Sequence, residues 1–425
     1  YISSGYPDTR QYCIDTVRVG EMNAHQDRVS GDYNDFWAGR DYINAVKKVK
    51  AATLMAHAFN DWNVVPEHSV RISQELERWG VPLQQYFHQG GHGGFGAFFL
   101  QNRWFTRYLY GVDNGVENDP KAWIVREGAS QANPTPYENY PNPAAAPVTL
   151  TLQEGGATAG DLTSLALPAA AAETLVDAGN VACNAGNLAT TVSTHRLLYT
   201  TPVLTQNLHT SGTASVTVRL ASSKPAANLS VALVKLPWTS ASGCTSSTRG
   251  STTSIVTRGW ADPQNHASLT NGRPLTPGTF DDVTFDLQPD DQVLPAGSRL
   301  GLMIFSTDAE FTLRPQPGTE LSVDLSGTSV ELPVVGGRLA MPICAEPDAR
   351  ATVIVGDVDS GVPNHTVAGG CTINDHVLDD QEWGNHGQFV LHVEEVADLL
   401  MAADLITARE RAALVSAAAR SDVGS

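Results

Sequence analysis

Two stretches of the chain carry residue types suited to nucleophilic hydrolysis. In His57-Ala58-Phe59-Asn60-Asp61-Trp62-Asn63-Val64 an aspartate directly follows an apolar run, and in His88-Gln89-Gly90-Gly91-His92 a second extended run ends in a Gly-Gly-His loop. An aspartate and a histidine delivered from the ends of two successive strands can work as acid and base. The histidine takes a proton from a serine hydroxyl and returns it to the leaving group, while the aspartate fixes the imidazole tautomer. Hydrolases that use a strand-to-helix serine turn place these residues in the chain order Ser, Asp, His. Asp61 and His92 are therefore the candidate catalytic residues. Glycines beside His92 let backbone approach closely. His57 and His88, inside or at the edge of strands, read as structural. The nucleophile is the missing part. Gly128-Ala129-Ser130 and Gly327-Thr328-Ser329 contain half of a Gly-x-Ser-x-Gly turn, lack its second glycine and lie downstream of Asp61.

The elements that must position the pair follow from periodicity. Ala51 to Phe59 is short, apolar and bounded by polar residues, as a buried strand is. Pro66 suits the first turn of a helix, Val70, Ile72, Leu76 and Trp79 fall near one helical face, and Gly80 can cap its end. Leu83 to Phe87 makes the next strand. Strand, helix and strand with short links form a right-handed parallel unit, and ligands bind such sheets beyond the C-terminal strand ends. Phe95 to Tyr110 reads as an aromatic-rich closing helix ended by Gly111.

Size and composition limit the alternatives. The 425 residues, with 42% hydrophobic and 17% charged residues, allow two or three globular domains, and a net charge of −18 argues against nucleic acid as a partner. No apolar run is long enough for a membrane span. The placement of the five cysteines favours two disulfides, Cys183–Cys244 and Cys344–Cys371, and hence a secreted protein; separate thiols in a reducing compartment are the alternative. Cys13 is left over. No metal-type Cys spacing occurs, and no cofactor or metal is expected.

Beyond the first region, residues 129–147 are proline-rich and read as an extended linker. From 148 to 345 short period-2 runs recur between turn residues: Val216, Val218 and Leu220; Leu229, Val231 and Leu233; Val283, Phe285 and Leu287; Leu300, Leu302 and Ile304; Leu321, Val323 and Leu325. That pattern is a β-sandwich or jelly roll. Residues 346–425 form a small disulfide-closed helical module, with an apolar stripe from Phe389 to Ala403 and a capping box of Thr407 and Glu410 ahead of a helix over 408–419. Asp357-Val358-Asp359-Ser360-Gly361 lacks the full calcium-loop pattern and reads as a turn.

Several ordered motifs resemble the X-prolyl dipeptidyl aminopeptidase family: Gly31-Asp32-Tyr33-Asn34-Asp35-Phe36-Trp37 with Arg40-Asp41-Tyr42, Asn60-Asp61-Trp62-Asn63-Val64, Gln89-Gly90-Gly91-His92, and Asp113-Asn114-Gly115-Val116. The resemblance implies an α/β plus all-β fold. Residues 1–128 would be the C-terminal half of an α/β-hydrolase domain, followed by the linker, a jelly-roll β-sandwich and the helical module. It implies a serine exopeptidase that releases N-terminal X-Pro dipeptides, its substrate a peptide with proline at the second position. Asp61 would be the triad acid and His92 the base, with Trp62, Asn63, Phe36 and Trp37 as candidates for the substrate pocket. The family serine lies upstream, so this chain is expected to be inactive alone. An N-terminal fragment carrying the serine is the expected partner, with Cys13 as a link to it. An esterase or acylase on the same scaffold, or a non-catalytic binding fragment, are the alternatives.

Overall fold

The computed structural model describes residues 7–93, 95–165, 168–179, 189, 191–238, 254–308, 311–313 and 317–425. Cys183 and Cys244, expected to pair, lie outside the described residues.

The first region is a small α/β unit. Helix α1 (Pro7–Tyr12) runs into a π-type helix over Cys13–Asn23, and no residue of either is buried. With no apolar stripe to bury, the segment gives no period from which its helices could be expected. A short helix α2 (Asp35–Ala38) follows, capped by the Asn34 side chain, which accepts from the Phe36 amide. Strand β1 (Thr53–Ala58), helix α3 (Glu67–Arg78) and strand β2 (Leu83–His88) then make the expected crossover. The strands run parallel, with Thr53 opposite Leu83 and Ala58 opposite His88. On α3, Val70 and Leu76 are buried. Strand β2 is buried at every position, as an interior parallel strand is, so even Gln84, Gln85 and His88 lie inside. Helix α4 (Phe98–Tyr108) buries Leu100 and Trp104 and leaves Phe98 and Phe105 exposed.

Strand β3 (Ala122–Ile124) extends the sheet parallel to β2, and β4 (Thr135–Tyr137) adds an antiparallel edge, in the order β1-β2-β3-β4. β4 comes from the segment read as a linker. That segment is part of the fold: Tyr140 is buried and packs against Phe59 and Phe87 at ring distances of 5.6 and 5.0 Å.

A β-sandwich follows. Its strands are β5 (Ala145–Leu152), β6 (Gly160–Thr163), β7 (Ala172–Val176), β8 (Arg196–Thr200), β9 (Leu208–Gly212) and β10 (Ser215–Ser222). Then come β11 (Leu229–Leu236), β12 (Ile255–Ala261), β13 (Phe280–Asp286), β14 (Asp290–Leu294), β15 (Arg299–Phe305) and the long β16 (Glu320–Val335). One sheet gathers around β16, which pairs with β5, β7, β9 and β10; β13 and β14 extend it through β10 and β9. The other runs β12-β11-β15-β8, and β6 joins the two by pairing with β5 and β8. Val216, Val218 and Leu220 of the first sheet share one apolar core with Leu229, Val231, Leu233, Leu300, Leu302 and Ile304 of the second. The opposite face of the second sheet is also covered: Leu198, Ala232, Val234, Ile255, Met303 and Phe305 form another cluster, and Trp62 of the α/β unit belongs to it. This explains the nearly continuous apolar composition of β11, where simple alternation leads one to expect a single buried face.

The C-terminal module holds more than helices. Strands β17 (Thr352–Val355) and β18 (Val358–Pro363) form a hairpin where Asp357 to Gly361 reads as a simple turn, and α5 (Ile373–Val377), α6 (His386–Ala402) and α7 (Ala408–Arg420) pack on it. Thr407 and Glu410 form the capping box of α7. Cys344 and Cys371 are disulfide-bonded across a sequence separation of 27 and are buried in the module's core. Closing a loop of that length restricts the unfolded chain by about 3–4 kcal/mol. We expect Cys344→Ser with Cys371→Ser to lower the module's unfolding free energy by about that amount, read by urea denaturation; an unchanged midpoint would show that the bond contributes nothing. Among the described residues no helix is long and apolar enough to cross a membrane.

Candidate active site

Asp61 stands in the turn after β1, and the turn is made by its own carboxylate. Oδ1 accepts from the amides of Asn63 and Val64, each at 3.0 Å. The side chain is only 3% exposed. Across from it, the loop after β2 carries His92, whose Nδ1 lies 2.9 Å from Asp61 Oδ2 and 3.1 Å from Oδ1. Because a carboxylate only accepts, Nδ1 carries a proton, and the neutral form of the ring has its free electron pair on Nε2. The imidazole is 62% exposed, and no described residue bonds Nε2. Burial favours the neutral acid of Asp61, yet the Val64 amide, the His92 ring and the Asn63 amide outweigh it and hold the carboxyl below its ordinary range. The arrangement is thus a buried, ionised carboxylate orienting an accessible base.

Two further histidines support it. His57 Nε2 donates to Val64 O at 2.9 Å and approaches Asp61 Oδ2 at 3.3 Å, while its Nδ1 meets Ser69 Oγ at 2.6 Å. His57 therefore touches the acid itself as well as packing the strand end. His88 is buried, and burial pushes its pKa down, so the ring is neutral. In that state Nδ1 accepts from the Gly90 amide at 3.1 Å and Nε2 donates to Gly93 O at 3.1 Å, which folds the loop back toward His92. Gly90 has no side chain for this reason: a Cβ there would stand 2.8 Å from His88 Nδ1.

Ser69, His57 and Asp61 lie in contact, but Ser69 is in the first turn of α3 and His57 is only 11% exposed, so no open ring nitrogen serves a substrate there.

The other candidates are distributed differently. Trp62, expected at the substrate pocket, is 5% exposed and sunk against the second sheet of the sandwich. Its ring lies under the Arg258 guanidinium at 4.2 Å and edge-on to Trp260 at 6.5 Å. Asn63 is exposed, and its amide closes the Asp61 turn. Phe36 and Trp37 pack edge to face at 5.0 Å, with Arg40 over Phe36 at 3.6 Å and Trp37 Nε1 donating to Gln26 O. Phe36 lines a polar cavity with Glu21, Asp32, Tyr33 and Arg40, and no hydrogen bond or ring contact joins either aromatic to Asp61 or His92. Gln89, which the sequence reading used only as part of a motif, bonds the sandwich: Nε2 donates to Asp291 O at 2.6 Å.

Comparison with known proteins agrees with this architecture. A protein of Rhodopirellula baltica assigned as an Xaa-Pro dipeptidyl-peptidase is 52% identical over 340 residues, covering 80% of this chain and 53% of its own length. The Xaa-Pro dipeptidyl-peptidase of Lacticaseibacillus rhamnosus is 29% identical, covering 74% of this chain and 44% of its own. The chain thus spans about half the length of the curated relatives it matches. Among solved structures, an aminopeptidase from a Thaumarchaeota archaeon aligns with a TM-score of 0.60 at 14% identity, covering 79% of this chain and 65% of that one. An α-amino acid ester hydrolase aligns at 0.56 and 16%, covering 79% and 64%. At these identities the two share the fold. The family model of the X-Pro dipeptidyl-peptidase (S15 family) matches residues 10–94, which hold Asp61 and His92, and that of the X-Pro dipeptidyl-peptidase C-terminal non-catalytic domain matches residues 114–357. The chain belongs to the X-Pro dipeptidyl-peptidase family.

Proposed function

We propose that this chain supplies the acid and the base of a serine exopeptidase that releases X-Pro dipeptides from the N-termini of peptides. The observation that carries the reading is the Asp61–His92 bridge of 2.9 Å at the ends of adjacent parallel strands, with the Nε2 side of the ring open. The serine comes from polypeptide outside these 425 residues, because none of their serines stands in a Gly-x-Ser-x-Gly turn. In the complete enzyme His92 Nε2 removes the serine proton as the oxygen attacks the proline carbonyl. It then passes that proton to the departing amine, leaving the serine acylated by the dipeptide; water repeats the sequence and frees the dipeptide. Asp61 stabilises the imidazolium formed in each half. Residues 1–425 alone have no nucleophile for this reaction and turn nothing over. We place the enzyme outside the reducing cytoplasm, supported by the Cys344–Cys371 bond.

The test is labelling of the complete protein by a fluorophosphonate together with hydrolysis of Ala-Pro-p-nitroanilide. The reading requires a labelled serine outside residues 1–425 and release of Ala-Pro. Label on Ser69, or full labelling without cleavage after proline, overturns it.

A further inference from the structure

The turn that carries Asp61 and the loop that carries His92 are irregular segments, and the α/β sheet fixes only where they start. We propose that the β-sandwich holds the acid and the base in register through Trp62 and Gln89, which are positioning residues and not part of a substrate pocket. This inference rests on the reading of Asp61 and His92 as acid and base.

Each segment fixes one side chain on the sandwich, one residue after Asp61 in the turn and three residues before His92 in the loop. Trp62 follows Asp61 directly. Its ring lies in the apolar cluster of Leu198, Ala232, Val234, Met303 and Phe305, and Arg258, paired to Asp308 at 3.4 Å, covers it. Among the described residues Trp62 Nε1 has no hydrogen-bond partner, so what holds the residue is the shape of the ring. A ring held between the Arg258 guanidinium, the edge of Trp260 and this cluster fixes the backbone at Trp62, and with it the direction of the Asp61 carboxylate one residue before. Gln89 opens the loop that ends in His92. Its side-chain amide donates to Asp291 O on β14, in the other sheet. Asp291 is itself fixed: its buried carboxylate takes Arg126 and His209, the latter at 3.0 Å.

The two segments are also tied to each other. Asn60 Nδ2 donates to Gln89 O at 3.0 Å, and the Asn60 amide donates to Gly90 O at 3.2 Å. Turn and loop therefore form one unit, anchored at Trp62 to the sheet of β8, β11 and β15 and at Gln89 to β14. A proton bridge of 2.9 Å has little tolerance for displacement, and a shift of about 1 Å at a catalytic group costs about a hundredfold in rate. The domain matched as non-catalytic thus shares in setting the geometry of the reacting groups.

Gln89→Met separates this role from simple docking of two domains, since it keeps the side-chain length and removes the amide, whose Nε2 makes the bond to Asp291 and whose Oε1 has no partner among the described residues. In the 425-residue chain, the downfield proton resonance of the His92 Nδ1–H bridge to Asp61 is expected to be present in the parent and broadened or lost in Gln89→Met. In the complete enzyme the same substitution should lower kcat about ten- to a hundredfold with KM within about twofold. Trp62→Ala should act alike, and Trp62→Phe should restore most of the rate because the N–H has no partner among the described residues. Should Trp62→Ala fail to fold, Gln89→Met decides alone. An unchanged resonance and unchanged kcat in Gln89→Met overturn the proposal. The resonance is read without the serine, so it stands or falls apart from the peptidase assignment, which the labelling experiment decides.

Discussion

His92→Ala is expected to reduce turnover of Ala-Pro-p-nitroanilide by the complete enzyme about a millionfold, the cost of removing the histidine from a comparable serine protease. The size follows from the role proposed for the ring. Without Nε2 the serine hydroxyl keeps its proton, and the amine leaves as an unprotonated anion. No neighbour can substitute. His88 spends both ring nitrogens on Gly90 and Gly93, and His57 spends its own on Ser69, Val64 and Asp61. The fold should survive the change. The His92 side chain is 62% exposed, and its hydrogen bonds go to Asp61, which keeps the Asn63 and Val64 amides. We therefore expect a loss of stability of about 1 kcal/mol, one hydrogen bond's net worth. Rates measured against active-site-titrated enzyme, with a thermal melt beside them, check both statements. A variant within tenfold of the parent would remove His92 from the reaction.

How far the sequence led depended on how local each cause was. The unit of β1, α3 and β2 follows from short apolar runs and a helical stripe, and the observed β2 extends the run Leu83 to Phe87 by one residue. The capping box at Thr407 depends on residues three apart and was readable for that reason. Asp61 and His92 were readable as a pair because both sit where strands end. What surrounds them was not. The partners of Trp62 lie between Leu198 and Phe305, and Gln89 meets Asp291, 202 positions on. A tryptophan beside an acid reads as a pocket wall until its distant partners are known. His57 looked like strand filling because strand alternation says nothing about a turn that curls back over four residues to bring Asp61 to its ring. The hairpin of β17 and β18 has its turn residues in the sequence, but its strands are four and six residues long and offer no apolar alternation to distinguish them from a loop. The long-range polar bonds, which decide how the base meets the acid, leave no periodic trace.

Asp61→Asn should cost about ten-thousandfold in kcat while leaving the fold nearly intact, and the reason lies in which way the new amide must face. The carboxylate takes donors on both oxygens: Asn63 and Val64 amides on Oδ1, His92 and His57 on Oδ2. An asparagine can keep only one acceptor. If its NH2 replaced Oδ1 it would oppose two backbone N–H groups 3.0 Å away, so the amide oxygen stays there and the NH2 takes the Oδ2 side. It then points at His92 Nδ1, which must give up its proton and become the acceptor. The ring proton moves to Nε2, and a protonated Nε2 cannot receive the serine's proton. A wrong tautomer of this kind lowers turnover by about 10⁴ where the geometry is otherwise kept. The Asn NH2 also faces the His57 Nε2–H, a mismatch of two donors that weakens the turn slightly. Because the Asp61 carboxyl is held below its ordinary range, it is ionised from about pH 6 to about pH 8. The deficit should therefore be the same at about pH 6 and about pH 8. A deficit that vanished toward acid would mean that Asp61 titrates in that range, and a loss below about a hundredfold would mean that His92 keeps its tautomer through some other acceptor.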